Sequence, residues 1–67
     1  MLTDIHIKIY KFIQLYVDTN GHSPTFREIQ KFNEIGSLST VHKYLGHLKE
    51  LEYIDWEAKK SRSIVVK

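Results

Sequence analysis

The sequence predicts a mainly α-helical domain of three helices closed by a small β-hairpin. Two observations carry this expectation. Apolar residues recur every three or four positions in three capped stretches, and the C-terminal quarter turns to β-branched and aromatic residues with a polar interruption. The 67 residues make one domain over 1–67. A chain of that size buries only about 60% of its extended surface on folding, so a large enclosed active site is not expected.

In the first stretch Ile5, Ile9, Phe12, Ile13, Tyr16 and Val17 trace an amphipathic stripe, which places helix one over 3–19. Thr3 is its N-cap candidate, Leu2 can staple onto Ile7, and Asn20-Gly21 ends it because both residues tolerate a left-handed backbone. Ser23-Pro24 then forces extended chain, and Thr25 with Glu28 reads as a capping box opening a short helix two over 26–32. Its candidate buried face is Phe26 and Ile29, with Phe32 as a further member. The stretch Asn33-Glu34-Ile35-Gly36 is a turn, and Ser37 caps helix three, where Leu38, Val41, Leu45, Leu48 and Leu51 form the strongest periodic signal in the chain. Tyr53-Ile54-Asp55-Trp56 and Ser63-Ile64-Val65-Val66 then read as hairpin strands around Glu57-Ala58-Lys59-Lys60-Ser61. Ile54 and Trp56 share one face of the first strand, Ile64 and Val66 one face of the second. Packing of those faces on the helices is required, since an isolated hairpin is marginal.

Composition narrows the function classes. With 42% hydrophobic and 27% charged residues, the chain is neither disordered nor membrane-like. No apolar run approaches the roughly 20 residues of a membrane span, and Met1-Leu2-Thr3-Asp4 lacks signal-peptide character, so a cytoplasmic location is the expectation. Cysteine is absent, which excludes disulfides, thiolate metal sites and cysteine nucleophiles. The net charge of +2 and pI near 9.0 permit a polyanionic partner without requiring one. The distribution says more. Lys59, Lys60 and Arg62 cluster near the C-terminus, while Asp4, Asp18, Glu28 and Glu34 lie in the first half.

Three helices and a hairpin, with a short turn between helices two and three, follow the order of a winged helix-turn-helix. In that fold the start of the third helix meets base edges in the major groove of DNA. With Leu38, Val41 and Leu45 turned inward, the residues available to read bases are Ser37, Ser39, Thr40, His42 and Lys43. Lys59, Lys60 and Arg62 suit phosphates or the minor groove beside that helix. A purely structural account of the same residues also fits: a cap and solvated helix face in the first case, and in the second a charged tip that guards an edge strand.

The blocks Leu2-Thr3, Asn20-Gly21-His22-Ser23-Pro24-Thr25-Phe26-Arg27-Glu28-Ile29, Ser37-Leu38-Ser39-Thr40-Val41-His42-Lys43-Tyr44-Leu45, Tyr53-Ile54 and Lys60-Ser61-Arg62-Ser63-Ile64 span nearly the whole chain. In that order the sequence resembles the N-terminal DNA-binding domain of LexA repressors. The resemblance implies that Ser37, Ser39, Thr40, His42 and Lys43 occupy base-reading positions, and that Thr25, Arg27, Lys60 and Arg62 fall in the backbone-contact region, joined by Lys59 from the basic wing. Glu52 stands where the family usually has glycine, so it must either accept a positive φ or end the helix differently. The family's dimerising, self-cleaving C-terminal half has no counterpart within residues 53–67. One recognition helix reads only a half-site, which implies a second copy, a dimerising partner or that C-terminal domain.

Two rival classes are weighed against this reading. For an enzyme the candidates are His6, His22, His42 and His47 with Asp55 or Glu57, but His42 and His47 do not share a helix face as an i, i+4 pair would, and no catalytic motif is present. No catalysis, cofactor or metal is expected. The second rival is a winged helix that docks on another protein, with an exposed Trp56 as its anchor. Trp56 on the packed face of the hairpin would count against it.

Overall fold

The computed structural model describes residues 3–60 and 62–67; the expected staple from Leu2 and the turn residue Ser61 lie outside them. Helix α1 spans Asp4–Asn20, α2 Phe26–Phe32 and α3 Leu38–Glu50, followed by strands β1 (Ile54–Asp55) and β2 (Val65–Val66). The strands pair antiparallel, Ile54 with Val66 and Asp55 with Val65, and the Lys67 N–H extends the ladder to the Tyr53 carbonyl at 3.0 Å. No helix among the described residues is long and apolar enough to cross a membrane.

One core joins every element. Ile9 and Ile13 of α1, Ile29 of α2, Val41, Leu45 and Leu48 of α3, Ile54 of β1 and the neighbouring Ile64 are buried together. Phe26, Trp56 and Val66 pack around them half-buried, so each strand turns alternate residues inward as expected. Two residues expected inside are not. Phe32 is 68% exposed and Leu51 is 47% exposed. Steps of three residues lag the helix by about 60° each, so a second successive step of three carries the side chain off the buried arc.

The caps are local chemistry. Thr25 and Glu28 form the reciprocal box, with Thr25 N–H donating to Glu28 Oε1 at 2.8 Å and Glu28 N–H to Thr25 Oγ1 at 3.1 Å. At α1 the third helical residue is His6, whose Nδ1 accepts the Thr3 N–H at 3.2 Å and lies 2.7 Å from Thr3 Oγ1. Helices α2 and α3 end alike. Ile35 N–H reaches the Gln30 carbonyl and Glu34 N–H the Lys31 carbonyl, while Tyr53 N–H reaches Leu48 and Glu52 N–H reaches Lys49. This double bond pattern puts the penultimate residue in the left-handed region. Glu34 (φ 55) and Glu52 (φ 65) occupy those positions, which resolves the alternative left open for Glu52 in favour of a positive φ. Gly21 does the same for α1 at φ 76, without a Cβ to oppose it.

Left-handed backbone costs a residue with a Cβ about 1 kcal/mol or more. Glu52→Gly and Glu34→Gly are therefore each expected to raise the unfolding free energy by roughly 0.5–1 kcal/mol, read from urea denaturation.

His6 predicts a pH dependence. Its ring is buried and its Nε2 lies 3.2 Å from His47 Nδ1. Because Nδ1 accepts from Thr3, the proton resides on Nε2, and a second proton would face the Thr3 amide. Burial, then the charge of His47, hold His6 below its ordinary 6.5. A lowered folded pKa means that the unfolded chain binds the proton more readily, so stability is complete above 6.5 and declines as pH falls below it. Melting temperatures taken from about pH 7.5 down to about pH 5.5 should fall more steeply for the wild type than for His6→Gln, whose amide can still accept the Thr3 N–H.

Candidate nucleic-acid interface

Burial of Val41, Leu45 and Leu48 leaves the opposite arc of α3 outside. Ser37, Ser39, His42 and Lys43 are exposed and Thr40 is half-buried. Ser37 caps the helix, accepting the Thr40 N–H at 3.3 Å, and its Oγ lies 3.1 Å from Ser39 Oγ and 2.8 Å from Thr40 Oγ1. The three hydroxyls thus form one group whose protons can be redirected toward a donor or an acceptor. Lys43 enters no ion pair among the described residues. His42 is held differently: its ring meets Phe26 edge-on at 4.6 Å and Trp56 at 6.0 Å, while Phe26 and Trp56 meet at 5.1 Å. The base-reading candidate His42 is therefore packed against both α2 and the hairpin.

The residues expected on the DNA backbone come together. Thr25, Arg27, Lys59, Lys60 and Arg62 line one hollow with Phe26, Leu38, Glu57 and Ala58, between the start of α2, the start of α3 and the hairpin tip. Arg27, Lys59 and Lys60 are exposed. Lys60 is 3.5 Å from Glu57, a solvated pair that contributes little and is easily exchanged for a phosphate.

Arg62 is arranged unlike the other four. Its Nη1 lies 3.1 Å from Glu28 Oε1, 3.0 Å from the Ser23 carbonyl oxygen, 3.2 Å from Tyr16 Oη and 3.2 Å from His22 Nδ1. Tyr16 in turn donates to Glu28 Oε2 at 3.1 Å. The Thr25 amide, with Tyr16 and Arg62 assisting, holds the Glu28 carboxyl below its ordinary 4.5 despite some desolvation. The bond to Tyr16 and the Glu28 charge raise Arg62 above its ordinary value.

The base of the hairpin is tied to α3 by Trp56. Its Nε1 donates to the Leu45 carbonyl at 3.2 Å, and Lys49 Nζ donates to the Trp56 carbonyl at 2.7 Å while lying 4.7 Å from the ring centroid. Trp56 is thus half-buried on the packed face and not a free docking anchor. Ser63 closes the tip, its Oγ accepting the Glu57 N–H at 2.9 Å. Sequence reasoning did not anticipate Tyr16, Ser23, Glu28 or Lys49 as supports of the site. Glu28 was legible only as a helix cap, and nothing local marks the others. The structure also brings His6 and His47 together, a pair that no spacing along the chain suggests.

Three helices with a tight turn before the third, a hydroxyl-rich start to that helix and a basic hairpin beside it define a winged helix-turn-helix DNA-binding domain. The LexA DNA binding domain family matches residues 1–63, and the chain belongs to that family. Among curated relatives, the LexA repressor of Koribacter versatilis is 35% identical over 65 residues, covering 97% of this chain and 31% of the relative. That of Staphylococcus aureus (strain USA300) is 38% identical over 65 residues, with the same coverage of 97% and 31%. The Moorella thermoacetica LexA repressor is 36% identical over 58 residues, 87% of this chain and 28% of the relative. The chain spans about a third of the length of these relatives.

Proposed function

We propose that the chain binds double-stranded DNA sequence-specifically as the reading head of a transcriptional repressor. Helix α3 enters the major groove, and Ser37, Ser39, Thr40, His42 and Lys43 face base edges. The hairpin lies along the flanking backbone as a wing, and Thr25, Arg27, Lys59 and Lys60 meet phosphates. The observation that carries this reading is the hollow that gathers the α2 start and the wing around Leu38. A phosphate grip in that hollow would stand directly beside the exposed arc of α3. The helix start contributes amide donors as well.

A single recognition helix reads a few base pairs, and tight binding ordinarily requires two of them about one DNA turn apart. In this reading the working unit contains two copies, brought together by DNA or by a dimerising segment or partner.

Selection of bound duplexes from a random pool, followed by titration of the selected duplex against scrambled DNA at two salt concentrations, tests the proposal. Enrichment of a half-site or inverted repeat, with affinity falling as salt rises, is the expected result. If neither the domain nor its fusion to a dimeriser enriches any sequence, the proposal fails. The roles separate in the same assay. Lys43→Ala should change the preference among sites by about 1–3 kcal/mol, whereas Lys60→Ala should weaken all sites alike and reduce the salt slope by about 1. Equal losses on every sequence for both variants would overturn the division between base and backbone residues.

A further inference from the structure

We infer that Arg62 acts as the anchor that positions the wing for DNA binding, working through Glu28, and is not itself a phosphate contact. This rests on the DNA-binding reading above and assigns a different task to one of the five residues expected on the DNA backbone.

The partners of Arg62 are distant in sequence and belong to three elements. Tyr16 lies on α1, His22 and Ser23 in the segment before α2, and Glu28 on α2. The wing needs such a tie. Its ladder is formed by two residue pairs, too few to hold a hairpin in place unaided. The wing's base is fixed on α3 by Trp56 and Lys49, and Arg62 fixes its returning arm on the other side. Arg62 does this with a left-handed backbone, φ 54, a conformation unfavourable for a residue with a Cβ.

Glu28 makes the tie consequential. Its Oε1 receives both the Thr25 N–H at 2.8 Å and the Arg62 guanidinium at 3.1 Å. One carboxylate therefore caps α2, which carries Thr25 and Arg27, and holds the wing, which carries Lys59 and Lys60. The distance between the two edges of the phosphate grip is set at this oxygen. The Arg62 contacts all run through Nη1, so an Arg62 that turned this nitrogen to a phosphate would forfeit its bonds to Glu28, Tyr16 and Ser23 and release the wing at the moment it is needed.

The two roles predict opposite signs for Glu28→Gln. The glutamine amide oxygen can still cap α2, but the charge that holds Arg62 is gone. If Arg62 contacts phosphate, freeing it and removing a negative charge strengthens DNA binding. If it is an anchor, the same substitution weakens binding. Arg62→Lys separates them again, because lysine keeps the charge for a phosphate but its side chain is one bond shorter and falls short of the position Nη1 occupies among Glu28, Ser23 and Tyr16.

The experiment measures binding of a fluorescent mixed-sequence duplex at several salt concentrations, at a temperature where circular dichroism shows every variant folded. It also measures acrylamide quenching of Trp56, the single tryptophan, in the free proteins. Arg62→Ala, Arg62→Lys and Glu28→Gln are each expected to weaken binding roughly five- to tenfold with an unchanged salt slope, and the Ala/Gln double variant should be no weaker than Arg62→Ala alone. Trp56 should be more readily quenched in all of them. Tighter binding by Glu28→Gln, or wild-type affinity for Arg62→Lys with a reduced slope for Arg62→Ala, overturns the anchor. Should the wild type bind no duplex, the DNA-binding reading fails, and the DNA-free arm decides the anchor alone: raised quenching sustains it and unchanged quenching refutes it.

Discussion

Helix α3 has one arc buried by Val41, Leu45 and Leu48 against Ile9, Ile13, Ile29 and Ile54, and that burial orients everything the site does. A helix carries its side chains at fixed angles, so seating the apolar arc turns Ser39, His42 and Lys43 outward with little further instruction. Truncating a core leucine such as Leu45 to alanine typically costs about 2–5 kcal/mol, a large part of the stability of a small domain. The same contacts that fold the chain therefore fix the rotation of α3 about its own axis.

Rotation alone does not place a helix against DNA; its neighbours must also stand at the right distance. Here polar bonds take over from apolar packing. The wing's short ladder leaves its position to Trp56 and Lys49 on one arm and to Arg62 on the other. The Glu28 carboxylate joins the Arg62 tie to the start of α2. Such a half-exposed pair adds little to global stability. Its value is geometric, since it couples two edges of the hollow, the start of α2 and the hairpin tip.

The division between what was and was not legible in the sequence follows the range of the forces involved. Helix starts at Thr3, Thr25 and Ser37 were readable because a cap is a bond between residues three apart. The three helices and the hairpin followed from periodicity, and the exposed arc of α3 followed from its apolar one. Phe32 and Leu51 were misplaced because a repeat of three drifts around the helix, and near a helix end no later residue corrects the reading. The strands are shorter than their β-rich stretches because only two residue pairs meet in register. The inward turn of Arg62 could not be seen at all. In the sequence it is one of three cations at a hairpin tip, and the Glu28 that holds it lies in another helix.

The three hydroxyls at the start of α3 bear on how discrimination among sequences would be shared. The Ser37 hydroxyl lies within hydrogen-bond distance of those of Ser39 and Thr40, and a hydroxyl can donate or accept. Such a group adapts to many base edges and rejects few of them. Lys43 can only donate, and the ring of His42 is confined by Phe26 and Trp56. In the proposed reading, sharper selection would therefore fall to His42 and Lys43. Because Trp56 belongs to the wing's base and Phe26 to α2, the packing that confines His42 is the same packing that seats the wing. In the proposed reading, phosphate grip and base choice would be linked through these three aromatic rings, in addition to the Arg62–Glu28 tie.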